Sequence, residues 1–366
     1  MANLEMVIDG DGHIFEDYEA IRKHFRYPLN QSNIGRIFGV FPQLDHLHHG
    51  LMFNPPDAFG ITDGVFTDPG PKGWLEFMDK AGLEAAVLYP TGALGYGRII
   101  DADFAIQACA AYNDWLSEAY VRSDSRFKGM ALIPMQEPQA AVEELRRAIN
   151  ELGLVGAMVP STGLKTHLGA KEYWPIYEEA ARLGCALGVH GGAHQDMGMN
   201  NLNVFAAIHA VGHPMGIMIG LASLVFNGVF DKFPTLKVGF LEGGAAWLLT
   251  ALERFSGSYG AFTPFDPRGE LIQLKDGESV GDYVTRHIKA GHIRVGIEGD
   301  EPSLPFAVKT IGPEAWMFSS DFPHEVNLAS VRGEIEELLE MEALTSDEKQ
   351  AILYSNSQEF YTVTPA

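Results

Sequence analysis

The chain has 366 residues, 46% of them hydrophobic, a formal charge of −22 and two cysteines, Cys109 and Cys185. That length and apolar content suffice for one large domain with a substantial core. So acidic a chain lacks the basic footprint that nucleic acid or an anionic membrane requires, and two cysteines build no disulfide framework.

Met1-Ala2-Asn3-Leu4-Glu5 has neither the basic region nor the apolar run of a signal peptide. The most apolar later run, Met215 to Phe230, is short for a membrane span and contains Gly216, Gly220 and Gly228. It reads as a buried helix, and the whole as a soluble protein of the reducing cytoplasm.

Taken in order, residues 6–13 form a first strand ending Asp9-Gly10-Asp11-Gly12-His13. Side chains alternate along a strand, which would put Asp9, Asp11 and His13 on one face. Residues 17–72 are long and irregular and read as a partly helical cap over a pocket. A helix is expected over 73–82, a strand over 85–90, a long helix over 102–123 and a strand over 127–134. Helix 139–152, strand 154–160, helix 172–183 and strand 185–190 follow. A helical region over 203–233 precedes strand 236–242 and helix 245–255. Strand 292–298, helix 304–311 and strand 316–320 come next. Helices over 330–341 and 346–361 close the chain, and Thr345 with Glu348 has capping-box spacing.

The strands are short and almost wholly apolar, as in Ala86-Val87-Leu88 and Ala157-Met158-Val159. Such runs mark a parallel sheet buried on both faces. Eight strands, each followed by a helix, predict an α/β fold of the (β/α)8 TIM-barrel type. The expected organisation is a single domain over residues 1–366, with the 17–72 cap inserted after strand one and helices at the C-terminus.

In such a barrel the chemistry sits at the C-terminal ends of the strands. Polar residues collect there: Asp11 and His13 on strand one, His190 on strand five, Glu242 on six, Glu298 on seven and Asp321 on eight. Burying so many charges without a cation would be costly, and a divalent metal supplies the compensation. Carboxylates beside imidazoles suit zinc, manganese or iron.

Asp9-Gly10-Asp11-Gly12-His13, Val189-His190-Gly191-Gly192, Phe233-Pro234-Thr235-Leu236-Lys237-Val238 running into Glu242-Gly243-Gly244, and Ser319-Ser320-Asp321-Phe322-Pro323-His324 together resemble the amidohydrolase superfamily. The branch they resemble most holds aminocarboxymuconate-semialdehyde and resorcylate-type decarboxylases with related hydrolases. The resemblance implies a strand-one metal pair at Asp11 and His13, a ligand at His190, and at Asp321 a ligand that also partners metal-bound water. Glu242 departs from the histidine usual before Gly-Gly, to which proton transfer in the decarboxylases is assigned. Its role is open between metal ligand, general base and a supporting carboxylate. Strand four ends without the lysine that bridges two metals in other members, so one ion is the default and a second, partly held by Glu242, stays open.

A metal-dependent hydrolase is therefore expected, in which activated water attacks the carbonyl of an amide, lactone, ester or thioester. The alternative is a non-oxidative decarboxylase of an aromatic or unsaturated acid. The candidate metal ligands are Asp11, His13, His190, Glu242 and Asp321, and the candidate catalytic residues Asp321, Glu242 and His190. Glu298, His324 and, from the insertion, His46 and Phe53 are candidate substrate contacts. The aromatic insertion suits a sizeable apolar small molecule. His209 and His213, four apart before Pro214, are expected to pack at a helix end. The expected partners are the substrate and a second copy of the chain in a homodimer.

Overall fold

The computed structural model describes residues 6–31, 66–192, 194, 197–268 and 272–364. Eight strands form one sheet in chain order: β1 (Val7–Ile14), β2 (Leu83–Pro90), β3 (Phe127–Leu132), β4 (Gly156–Pro160), β5 (Ala186–His190), β6 (Lys237–Phe240), β7 (Ile293–Ile297) and β8 (Trp316–Phe318). Every neighbouring pair is parallel. The chain returns to its start beyond β8, where Asp321 N–H donates to Asp11 O at 3.0 Å and His13 N–H donates to Phe322 O at 2.7 Å. This is the (β/α)8 barrel that the alternation predicts.

Helices lie between the strands. The connection after β1 opens with α1 (Tyr18–Arg22) and ends with α2 (Gly70–Ala81). There follow α3 (Ala102–Leu116), α4 (Pro138–Asn150), α5 (Trp174–Leu183), α6 (Phe205–Phe226), α7 (Val229–Lys232), α8 (Ala246–Phe262), α9 (Val280–Lys289), α10 (Leu304–Ile311), α11 (Leu328–Glu340), α12 (Ser346–Gln350) and α13 (Asn356–Tyr361). The strand side chains are almost all buried, so the core is the barrel interior and the shell between barrel and helices. Tyr361 binds the last helix to that core, its hydroxyl donating to Gly10 O at 2.9 Å and lying 2.9 Å from Tyr89 Oη.

Three expectations are corrected. The helical stretch 203–233 divides into α6 and α7 because Gly228 adopts φ 66°, a conformation that no helix interior accepts. A helix, α9, occupies residues to which no element is assigned above; Ser279 and Asp282 form its capping box and Val280, Tyr283, Val284, His287 and Ile288 its buried face. The third is the face shared by Asp9, Asp11 and His13. The register of β1 on β2 slips between Asp9 and Gly12, so the simple alternation fails there. Asp9 Oδ2 lies 2.9 Å from where a Cβ on Gly12 would stand. Asp9 thus turns towards the Gly12 side, its Oδ1 accepting from Asp11 N–H at 3.2 Å, and is not among the clustered candidate ligands.

Among the described residues α6 alone has the length and composition of a membrane-crossing helix, and half of its most apolar window is buried within the protein.

Candidate metal centre

His13 lies at the middle of the site, fully buried at the end of β1. Its Nδ1 is 2.8 Å from Pro90 O. A carbonyl can only accept, so Nδ1 carries the hydrogen and Nε2 presents a lone pair. That lone pair faces Asp11 Oδ1 at 3.5 Å, Glu242 Oε1 at 3.6 Å, Asp321 Oδ1 at 3.3 Å and His190 Nε2 at 3.3 Å. The neighbours come from the ends of β1, β5, β6 and β8. Three carboxylates and an imidazole thus converge on that lone pair, an arrangement that a bound cation would draw together.

Two overlapping sets of candidate ligands share His13: Asp11, His13 and His190, and His13, Glu242, Asp321 and His324. In each set the ligand atoms lie within 4.8 Å of one another. Asp11 shows the need for a cation most directly. It is wholly buried, and neither carboxylate oxygen accepts a hydrogen bond from the described residues. The donor set of carboxylates and imidazoles around an unsatisfied buried anion fits one divalent metal ion.

Protonation follows the same electrostatics. Burial would lower His190, but the Glu242 and Asp11 carboxylates beside it push it up to about 9. Burial raises Asp321 to about 8, against the opposing pull of His324. Burial and the neighbouring imidazoles of His324 and His190 hold His13 well below its ordinary range. Without a cation the cluster retains protons near neutrality, and a metal entering it would displace them.

The turns after β6 and β8 aim the carboxylates. Glu242 and Asp321 adopt φ 59° and φ 54°, the left-handed region that side chains other than glycine rarely occupy. Glu301 braces the first of these turns. Its carboxylate accepts from Ala245 N–H at 2.6 Å and Glu298 N–H at 3.0 Å.

The structure therefore brings Asp11, His13, His190, Glu242 and Asp321 together. His324 joins them more closely than a contact at the pocket mouth: its Nδ1 is 2.7 Å from Asp321 Oδ1, its ring stacks on His13 with centroids 4.1 Å apart, and Thr91 Oγ1 is 3.0 Å from its Nε2. Glu298 is exposed and is not among the clustered ligands. His46 and Phe53 lie outside the described residues. His213 is placed otherwise than expected, its Nδ1 reaching Glu242 Oε2 at 2.7 Å instead of serving only to pack a helix end. Gly191 leaves room for its ring, a fit that only the fold reveals.

Residues 8–363 match the amidohydrolase family model. The 2-amino-3-carboxymuconate-6-semialdehyde decarboxylase of Dictyostelium discoideum is 26% identical over 342 residues, covering 92% of this chain and 90% of its own. The gamma-resorcylate decarboxylase of Rhodococcus jostii is 28% identical, covering 76% of this chain and 87% of its own. The crystal structure of 5-carboxyvanillate decarboxylase from Novosphingobium aromaticivorans, with bound manganese, has the same fold, with a TM-score of 0.72 over 98% of this chain and 97% of its own at 20% identity.

These relatives overturn the expectation of a hydrolase, since each is a decarboxylase. That expectation took the carboxylate at Glu242, in place of a histidine, as a sign against decarboxylation. The residue type at one position was a poor guide, because Glu242 is itself paired with an imidazole, His213 Nδ1 lying 2.7 Å from its Oε2.

Proposed function

The chain belongs to the amidohydrolase family, and we propose that it is a non-oxidative decarboxylase of an aromatic or unsaturated carboxylic acid. We assign the metal to Asp11, His13, His190 and Asp321, with manganese the ion to test first because the structural relative above holds it. When bound, such an ion supplies Lewis acidity towards the oxygens of an acid substrate.

The reaction exchanges a carboxylate for a proton on one carbon. The carbon–carbon bond breaks, its electron pair stays on the substrate carbon, carbon dioxide leaves and a proton arrives. The observation that carries the reading is the carboxylate–imidazole pair of Asp321 and His324, 2.7 Å apart beside His13. Such a pair can hold a proton and hand it on without leaving the site. Glu242 Oε1 faces the same place, 3.6 Å from His13 Nε2, and is the second candidate to move the proton. Burial of Asp11, His13 and His190 excludes water from the floor of the site, which strengthens every charge interaction there.

The rest of the reading is consistent with this. The chain acts as a single domain with Glu298 near the site; most of the cap expected over 17–72, residues 32–65, lies outside the described residues. A cytoplasmic homodimer that binds small molecules suits the acidic composition and the two buried, unbridged cysteines. The test is carbon dioxide release by the manganese-loaded protein from a panel of hydroxybenzoic acids and unsaturated diacids. Asp321→Asn should lower release by a factor on the order of 10² or more. Unchanged release in that variant would remove Asp321 from the chemistry.

A further inference from the structure

The Glu242 carboxylate is divided between two environments. Oε1 faces the metal cradle, 3.6 Å from His13 Nε2 and 3.9 Å from His324 Nδ1. Oε2 faces α6, 2.7 Å from His213 Nδ1, with His190 Nδ1 at 3.4 Å. We propose that His213 is a positioning residue for Glu242, anchoring Oε2 so that Oε1 is presented to the cradle. What Glu242 then does there rests on the decarboxylase reading; the anchoring itself rests on the geometry.

The surrounding residues are fitted to this pair. A Cβ at Gly191 would stand 1.9 Å from His213 Nδ1 and 3.1 Å from Glu242 Oε2. Any side chain at 191 would push the imidazole off the carboxylate. His194 packs edge-on against His213 with ring centroids 4.8 Å apart, and a Cβ at Gly212 would approach its ring to 3.0 Å. His209 closes the other side with centroids 5.1 Å apart. The ring is thus held from two sides, and only 7% of His213 is exposed. Glu242 itself is fixed at φ 59°, so its backbone and its outer oxygen are both constrained.

His213 stands apart from the cradle's ligands. Its ring centroid is 6.5 Å from that of His190, the nearest of them in ring contact. It acts through Glu242 and should not be needed to hold the metal.

Two substitutions separate anchoring from space filling. His213→Asn keeps an amide donor at the place of Nδ1; His213→Leu keeps the bulk and removes the donor. Each is made alone and with Glu242→Gln in the full manganese-loaded chain. The readouts are kcat and KM for carbon dioxide release, manganese per chain, and Tm. His213→Leu should lower kcat on the order of 10- to 100-fold, the scale of a misplaced reacting group. KM should move little and manganese content should stay. His213→Asn should recover most of kcat. Added to Glu242→Gln, His213→Leu should cost little further kcat, and the Tm losses should be non-additive, as for residues in contact. Full kcat in His213→Leu, equal loss in Asn and Leu variants, or additive losses would overturn the proposal. If the wild-type protein decarboxylates none of the acids, the decarboxylase reading falls; the Tm cycle then decides, non-additive losses supporting the anchor and additive losses overturning it.

Discussion

Asp9 on β1 accepts two hydrogen bonds from Ser320, the residue before Asp321: from its backbone N–H at 2.9 Å and from its hydroxyl at 2.6 Å. The first carboxylate of Asp9-Gly10-Asp11-Gly12-His13 therefore joins the two edges of the barrel, and the second serves the cradle. Ser320→Ala removes one donor from a fully buried carboxylate. It should cost about 1–3 kcal/mol, the usual penalty for an unsatisfied buried group. Urea unfolding measures this, with manganese binding unchanged. Lost metal at unaltered stability would show that Asp9 belongs to the ligand set after all.

His190→Ala removes a proposed metal ligand from the end of β5 without touching the packing below it. The variant should lose manganese and activity while keeping its cooperative unfolding. Elemental analysis after dialysis checks the first point and far-ultraviolet circular dichroism on heating the second. Full manganese occupancy in the variant would remove His190 from the ligand set.

Much of this arrangement could be read in the sequence. The barrel was legible because strands buried on both faces leave continuous apolar runs, and the cradle was legible because polar residues end those runs. Asp9 was misplaced because alternation presumes an unbroken register, and β1 slips on β2 between Asp9 and Gly12. Helix α9 was missed although Ser279 and Asp282 are spaced as a capping box before an apolar face of helical period. His213 could not be joined to Glu242 by any local pattern, because the contact depends on how α6 lies across the end of β6. Glu242 alone then suggested hydrolysis, a reading that lacked its imidazole partner.

A pH effect is expected at Glu179, remote from the cradle. On α5 it receives Arg182 Nη2 at 2.6 Å and Arg146 Nε at 2.9 Å. The hydrogen bond from Arg182, with Arg146 adding to it, holds its carboxyl down at about 2 against an ordinary 4.5. A carboxyl lowered in the folded state contributes stability that is fully present above the unfolded-state value and is lost as pH falls through about 2. Glu179→Gln should therefore lower Tm at neutral pH, with a difference that narrows below about pH 4.5 and closes near pH 2. A Tm difference that does not vary with pH would assign the effect to packing instead of charge.

Glu242→Gln keeps the shape of the side chain and removes its charge. Carbon dioxide release should fall by a factor on the order of 10² or more, the range of a lost acid or base. Stopped assays at saturating substrate check it. Near-full release by this variant would take Glu242 out of the proton path and leave Asp321 with His324 to carry it.

The central claim is that the buried cradle serves the replacement of a carboxylate by a proton. The direct measurement is mass spectrometry of manganese-loaded protein incubated in heavy water with 2,6-dihydroxybenzoate, 5-carboxyvanillate and unsaturated diacids, each labelled with carbon-13 at the carboxyl group. The account expects labelled carbon dioxide from at least one acid, with one deuterium on the vacated carbon of the product. Metal-loaded protein that releases no labelled carbon dioxide from any of them, or adds water to the substrate while the carboxyl label stays in place, would contradict it.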